Sequence, residues 1–281
     1  MACRTHRLFL RLPRGTRMTV YAPTMLLPEE RGGWMSLFGS STRILQGDEL
    51  QTFRDRPLVV LSSHFQDACS SLGAFLAHMS CGHLVNVFTQ DGAICGEAAA
   101  YDTSDREDAA FAARCRLIRH DLGCEAPGRR GRRAQDMRGI ADDRSQINRP
   151  VLSCLGKIAL AFPPGQRGVL LCPLGTGRHV NRRALADLVA EELPRLRCFF
   201  DVYFYEELPH ASHLLARHAA LQRLRRKVTL STRYAFPARW WSKRELLQFY
   251  PSMLRGFPRP ARFNPAVLFP AFPHEAFWSA N

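Results

Sequence analysis

His64 and Asp67 stand three residues apart just after a short apolar run, and His179 lies in a glycine-containing loop much later in the chain. An imidazole and a carboxylate converging from separate strand ends can hold a zinc ion while leaving one position open for water. Zinc in such a site acts as a Lewis acid and brings the pKa of a bound water down to about 7. On spacing alone, the same residues also read as a hydrogen-bonded turn followed by a helix cap. Other side chains carry similar alternatives. Arg106 and Glu107 open a helix and could meet a polar ligand or form a solvated first turn. His210 and His213 could bind metal or face solvent on a basic helix. Trp240 and Trp241 could stack on a ligand or fill a core or interface. Gly175-Thr176-Gly177 resembles a phosphate cradle but lacks the P-loop lysine and the dinucleotide fingerprint.

The elements that must position these groups begin at Pro57. Leu58 to Leu61 is short, apolar and partly β-branched, the pattern of a buried parallel strand. A helix is predicted from Ala68 to Met79 and a second strand over Leu84–Thr89. The loop Gln90 to Gly96 leads to a helix from about Ser104 to Leu122, with Ser104 as its N-cap and acidic residues in its first turn. Residues 125–148 read as a charged surface loop. A helix near Val151–Phe162 precedes a buried strand at Gly168–Cys172, and a helix over Arg182–Leu196 precedes the last clear strand, Phe199–Tyr205. Strands alternating with helices predict an α/β, Rossmann-like three-layer fold with a mostly parallel sheet. Ligands of such sheets sit at the carboxyl ends of the strands, where His64, Asp67, Asp91 and His179 all fall. Three segments are expected: an irregular extension over 1–55, a main domain over 56–257, and a tail over 258–281 that packs onto it. Met18 and Met35 are alternative starts.

The words around these residues are specific. Leu61-Ser62-Ser63-His64-Phe65-Gln66-Asp67-Ala68, followed by Ser71-Leu72-Gly73, resembles the S-P-H-x-D-D-A…S-x-G signature of the PIG-L/LmbE-like deacetylases. Pro173 to Arg182 is similar, in unbroken register, to that family's P-L-G-x-G-G-H-V-D-H loop. Val202 to Pro209 is similar to its Y-x-Y-E-D-L-P segment, and Trp241, Lys243, Leu246 and Tyr250 follow a weaker C-terminal pattern. The likeness spans about residues 57–255. It implies zinc-dependent hydrolysis of an acetamide on an N-acetylglucosamine-type sugar conjugate. It also implies metal-ligand positions at His64 and Asp67, and an oxyanion-stabilising role for His179.

Two departures fall on the chemistry itself. The family's general base is Gln66 here, and an amide cannot accept a proton at neutral pH. That removes a contribution typically worth about 10²–10⁴-fold in rate. The third zinc ligand is Arg182, whose guanidinium offers no lone pair and stays charged. Arg182 could therefore replace the cation outright and salt-bridge Asp67. Asn181 replaces an Asp, and with Arg106 it is a candidate substrate contact. The reading is a family homologue with an impaired site that acts on or binds an N-acetylated, anionic or neutral amino-sugar conjugate. The alternatives are an active zinc deacetylase re-ligated by Asp91 or His210, and a non-enzymatic module for an anionic glycoconjugate or other partner.

Composition narrows the setting. Of 281 residues, 46% are hydrophobic and 23% charged, ordinary for a globular protein. No run reaches the roughly 20 apolar residues of a membrane-spanning helix, and the N-terminal apolar stretch is too short for a secretory signal. The nine cysteines form no CxxC pair and read as reduced thiols of a cytoplasmic protein. The net charge of +14 is carried almost wholly by arginine spread along the chain, with no nucleic-acid-binding motif beside it.

Overall fold

Leu58–Ser62 (β2) and Gly168–Pro173 (β5) are buried at every position, as Leu- and Val-rich strands covered on both faces must be. They pair in parallel from Leu58↔Val169 to Val60↔Leu171. The computed structural model describes residues 42–90, 98–255 and 274–281. Asp91, Met18, Met35 and the greater part of both terminal extensions lie outside them, as does the side chain of Trp240.

The other strands are Thr42–Ile44 (β1), Gly82–Asn86 (β3), Leu117–Asp121 (β4), Phe200–Tyr205 (β6), Leu230–Pro237 (β7) and His274–Ala280 (β8). Among the described residues they form one eight-stranded sheet in the order β1-β7-β8-β6-β5-β2-β3-β4. Every pairing is parallel except those of β8, which runs antiparallel to both β6 and β7. The fold is thus the expected α/β one with a mostly parallel sheet. From β2 the chain builds outward through β3 and β4, then returns beside β2 as β5 and continues the other way. This reversal opens a crevice at the carboxyl ends of β2 and β5.

Alternation along β2 divides the core between two layers. Val59 and Leu61 pack with Ile140–Leu160 (α4) and Val180–Glu191 (α5) on one face. Leu58 and Val60 pack with Asp67–Leu76 (α2) and Phe111 of Ala98–Arg114 (α3) on the other. Leu246 and Leu247 of Trp240–Leu247 (α8) join that second layer. Gly47–Arg54 (α1), Leu193–Leu196 (α6), Leu214–Arg225 (α7) and Pro251–Arg255 (α9) complete the helices of the described residues.

The structure corrects several boundaries. The helix expected to reach Leu122 stops at Arg114 and gives way to β4. Arg116 makes that turn at φ 56, a left-handed conformation that glycine usually supplies, so the stop is hidden. The charged stretch 125–148 is no simple loop, because α4 begins at Ile140 and runs through Pro150. Proline in a helix interior removes a hydrogen bond and crowds the carbonyl four residues back, at about 3 kcal/mol, and here packing of Ile147, Val151 and Leu155 offsets that cost. Residues 42–54, read as irregular, form β1 and α1. The C-terminal tail supplies β8 to the middle of the sheet, with Phe277 and Trp278 buried in opposite layers.

Lys243 and Glu275 tie that strand to the helices. Both are fully buried, and the Lys243 ammonium meets the Glu275 carboxylate and donates to the Cys69 carbonyl at 2.9 Å. Glu275 also accepts from the backbone N–H groups of Ala74 and Phe75.

Candidate functional site

The crevice between β2 and β5 brings together residues from the first turns of two helices. After β2, Ser62 shapes the bend, its hydroxyl donating to the His64 carbonyl at 2.7 Å and accepting from the Ala68 N–H at 3.2 Å. Gln66 then turns the chain into α2 at φ 71, ψ −22. A left-handed conformation costs a side-chain-bearing residue about 1–2 kcal/mol. Asp and Asn tolerate it better than Gln does. Beneath it the buried Asp108 accepts from the Gln66 N–H (3.4 Å), the Asn86 amide (2.7 Å) and the Tyr250 hydroxyl (2.6 Å). Burial raises the Asp108 carboxyl. Its oxygens are engaged by this network, so it braces the loop.

After β5, the loop through Gly175 and Gly177 takes positive φ at both glycines. Glu207 holds it by accepting from the Gly175 N–H (2.8 Å), the Thr176 N–H (3.0 Å) and the Thr176 hydroxyl (2.8 Å). The loop delivers His179 as the N-cap residue of α5, with Asn181 and Arg182 in the first turn.

The cluster that results is tightly bonded. Arg182 donates from Nη2 to Asp67 Oδ1 at 2.6 Å and from Nε to Oδ2 at 3.2 Å. His64 Nδ1 lies 3.5 Å from Asp67 Oδ2, and the Asn181 amide meets His64 Nε2 at 2.9 Å. The ring of His179 stands against that of His64, centroids 4.6 Å apart at 71°. Burial alone would raise the Asp67 carboxyl, but the Arg182 charge and the His64 hydrogen bond hold it well below the usual carboxylate range. Burial opposes the Arg182 charge, and Asp67 outweighs it. Burial, then His64 and Arg182, push His179 down to about 3, so its ring is neutral near pH 7.

His64, Gln66, Asp67, His179, Asn181 and Arg182 therefore meet at one crevice. Arg106 stands exposed on α3 and makes no hydrogen bond to them among the described residues. His210 and His213 do not share a helix face: His210 lies in a short 3-10 turn beside Gly177, and α7 begins only at Leu214. Desolvation and the Arg182 charge lower His210. Trp241 is exposed, with Arg239 over its ring at 5.5 Å. The supporting roles of Asp108 and Glu207 emerge only from the structure. The second Glu of the Glu206-Glu207 pair and Tyr250 were the available signals.

A zinc ion does not fit this donor set. Both Asp67 oxygens are taken by the guanidinium, and His64 is engaged at both ring nitrogens. Among the described residues no three His, Cys, Asp or Glu side chains gather as a ligand group. A doubly charged ion about 4 Å from a guanidinium would be repelled by roughly 8 kcal/mol at an effective dielectric of about 20.

No family model matches the chain, and no curated protein matches it. Solved structures do. A deacetylase of the teicoplanin biosynthesis pathway, in its complex with bog, shares 15% identity at a TM-score of 0.58, covering 80% of this chain and 98% of that one. The A40926 pseudoaglycone deacetylase Dbv21 shares 18% at a TM-score of 0.59, covering 81% and 98%. The zinc-inhibited form of teicoplanin deacetylase Orf2 shares 14% at a TM-score of 0.55, covering 80% and 98%. The chain thus has the fold of these deacetylases over nearly their whole length.

Proposed function

We propose that this chain binds an N-acetylated amino-sugar conjugate in the β2/β5 crevice and does not cleave its amide. The observation that carries the reading is the side-on pair of Arg182 with Asp67, next to an amide at position 66. Hydrolysis would need a group to take a proton from water, and Gln66 cannot. His179 retains a neutral ring at the crevice, suited to accept from a sugar hydroxyl or amide N–H, or to donate to an acetamide carbonyl, according to its tautomer. The ligand class comes from the resemblance of the two site loops to the PIG-L/LmbE-like deacetylases. The three deacetylase structures support the scaffold. No described helix is long and apolar enough to cross a membrane. The seven described cysteines are free thiols, and on that cysteine pattern we place the protein in the cytoplasm.

Calorimetric titration with an N-acetylglucosaminide, followed by measurement of free acetate, tests the reading. Saturable binding that weakens at least tenfold in His179→Ala, with no acetate released, is expected. Acetate release that disappears in the same variant would show a working hydrolase and overturn it, as would absence of binding.

A further inference from the structure

The two surviving ligand positions, His64 and Asp67, face each other at 3.5 Å between Nδ1 and Oδ2. Two ligands each about 2.0–2.1 Å from one tetrahedral zinc ion are separated by roughly 3.4 Å. The ligand edge is therefore already at metal spacing. What occupies that edge is decided by two consecutive residues of α5.

Arg182 covers the carboxylate, with Nη2 on Oδ1 and Nε on Oδ2. Asn181, fully buried, covers the imidazole from behind. Its amide nitrogen meets His64 Nε2 at 2.9 Å, and its Oδ1 is left buried without a partner. The direction of that hydrogen bond follows from the other side of the ring. A deprotonated Nδ1 would aim its lone pair at an anionic Asp67, so Nδ1 carries the proton and Nε2 accepts from Asn181. The proton on Nδ1 then sits on the nitrogen that faces the ligand edge. Both plug residues are held by one helix start, where the Val180 N–H donates to the Ala134 carbonyl at 2.8 Å and the Arg183 N–H to the His179 carbonyl at 3.2 Å.

We propose that Asn181 and Arg182 form a built-in plug: a guanidinium stands for the metal's charge, and Asn181, by donating to Nε2, completes the His64 tautomer that Asp67 selects, whose Nδ1 proton faces the ligand edge. An Asp at position 181 would reverse the second half. A carboxylate accepts from Nε2–H and leaves the Nδ1 lone pair bare toward Asp67, the outer-shell arrangement that orients metal-bound imidazoles. The inference rests on the reading of the crevice as metal-free. Its test contains no sugar, so it can fail while ligand binding stands, and the reverse.

Metal-free wild type, Arg182→His, and the double variant Asn181→Asp/Arg182→His are titrated with zinc against a chromophoric chelator. Wild type is expected to take up none, and the double variant about one ion per chain with a raised melting temperature. The single variant should bind about 10–100-fold more weakly than the double, the usual cost of a missing outer-shell partner. Zinc uptake by wild type that is lost in His64→Ala overturns the proposal. So does a double variant that is folded by circular dichroism and takes up no zinc. Nitrogen-15 shifts of the His64 ring in wild type test it without any variant: protonation at Nδ1 supports the plug, and protonation at Nε2 overturns it.

Discussion

Arg182 meets Asp67 side-on, 2.6 Å from Nη2 to Oδ1 and 3.2 Å from Nε to Oδ2, across 115 positions of sequence. Both side chains are largely buried, at 13% and 4% exposure. The geometry satisfies both carboxylate oxygens with a rigid fork, the arrangement in which arginine cannot be exchanged for lysine without loss. It also joins α2 to α5, so one ion pair spans the crevice and braces it.

Removing one partner should therefore be costly. Arg182→Met leaves a buried carboxylate without its counter-charge, for which the expected loss is about 3–5 kcal/mol. Urea unfolding measures it. The double neutral variant Asp67→Asn/Arg182→Met should lose less than the single, because it leaves no buried charge unpaired.

Gln66 sits at φ 71 with a long side chain. Gln66→Gly is expected to raise stability by up to about 1 kcal/mol, since relief of left-handed strain exceeds the entropy that glycine adds to the unfolded chain. Gln66→Asp should be neutral or slightly stabilising. The midpoint of chemical unfolding reads both.

The β2 and β5 strands and their two loops were legible because burial and chemistry leave local marks there. Apolar runs end in His64-Phe65-Gln66-Asp67 and in a glycine-rich loop, and both ends fall on one edge of a parallel sheet. What could not be read depended on distant partners. His274–Ala280 has no β-branched residue and becomes a strand only because β6 and β7 flank it. Arg116 ends α3 without a glycine to announce it. In the site, the meeting of His64, Gln66, Asp67, His179 and Arg182 at one sheet edge followed from their places at strand ends. The support by Asp108 and Glu207 did not, because a buried acid in a helix or loop looks like any surface acid until its partners are known.

The position of β8 gives a further expectation. It pairs on both sides, with β6 and β7, and contributes Phe277 and Trp278 to the two core layers. A chain ending at residue 273 should fail to fold cooperatively, lost from the soluble fraction or degraded by limited proteolysis at once.

Glu206 sets a pH dependence. Burial alone would raise its carboxyl, but Arg233, with Nε at 2.8 Å and Nη2 at 3.1 Å, lowers it, aided by Arg217 and the Trp278 indole. A folded-state pKa below the unfolded value means the unfolded chain binds more protons in between. The contribution is complete above the ordinary Glu value of about 4.3 and is lost as pH falls below it. Unfolding measured over about pH 6 to 3 should show a shallower acid decline in Glu206→Gln than in wild type.

The most direct measurement of the account is an anomalous-scattering map at the zinc edge from crystals of the wild-type protein soaked in zinc. No peak is expected between His64 and Asp67, with guanidinium density from Arg182 against the carboxylate. A peak about 2.0–2.2 Å from both side chains, with Arg182 turned away, would contradict it.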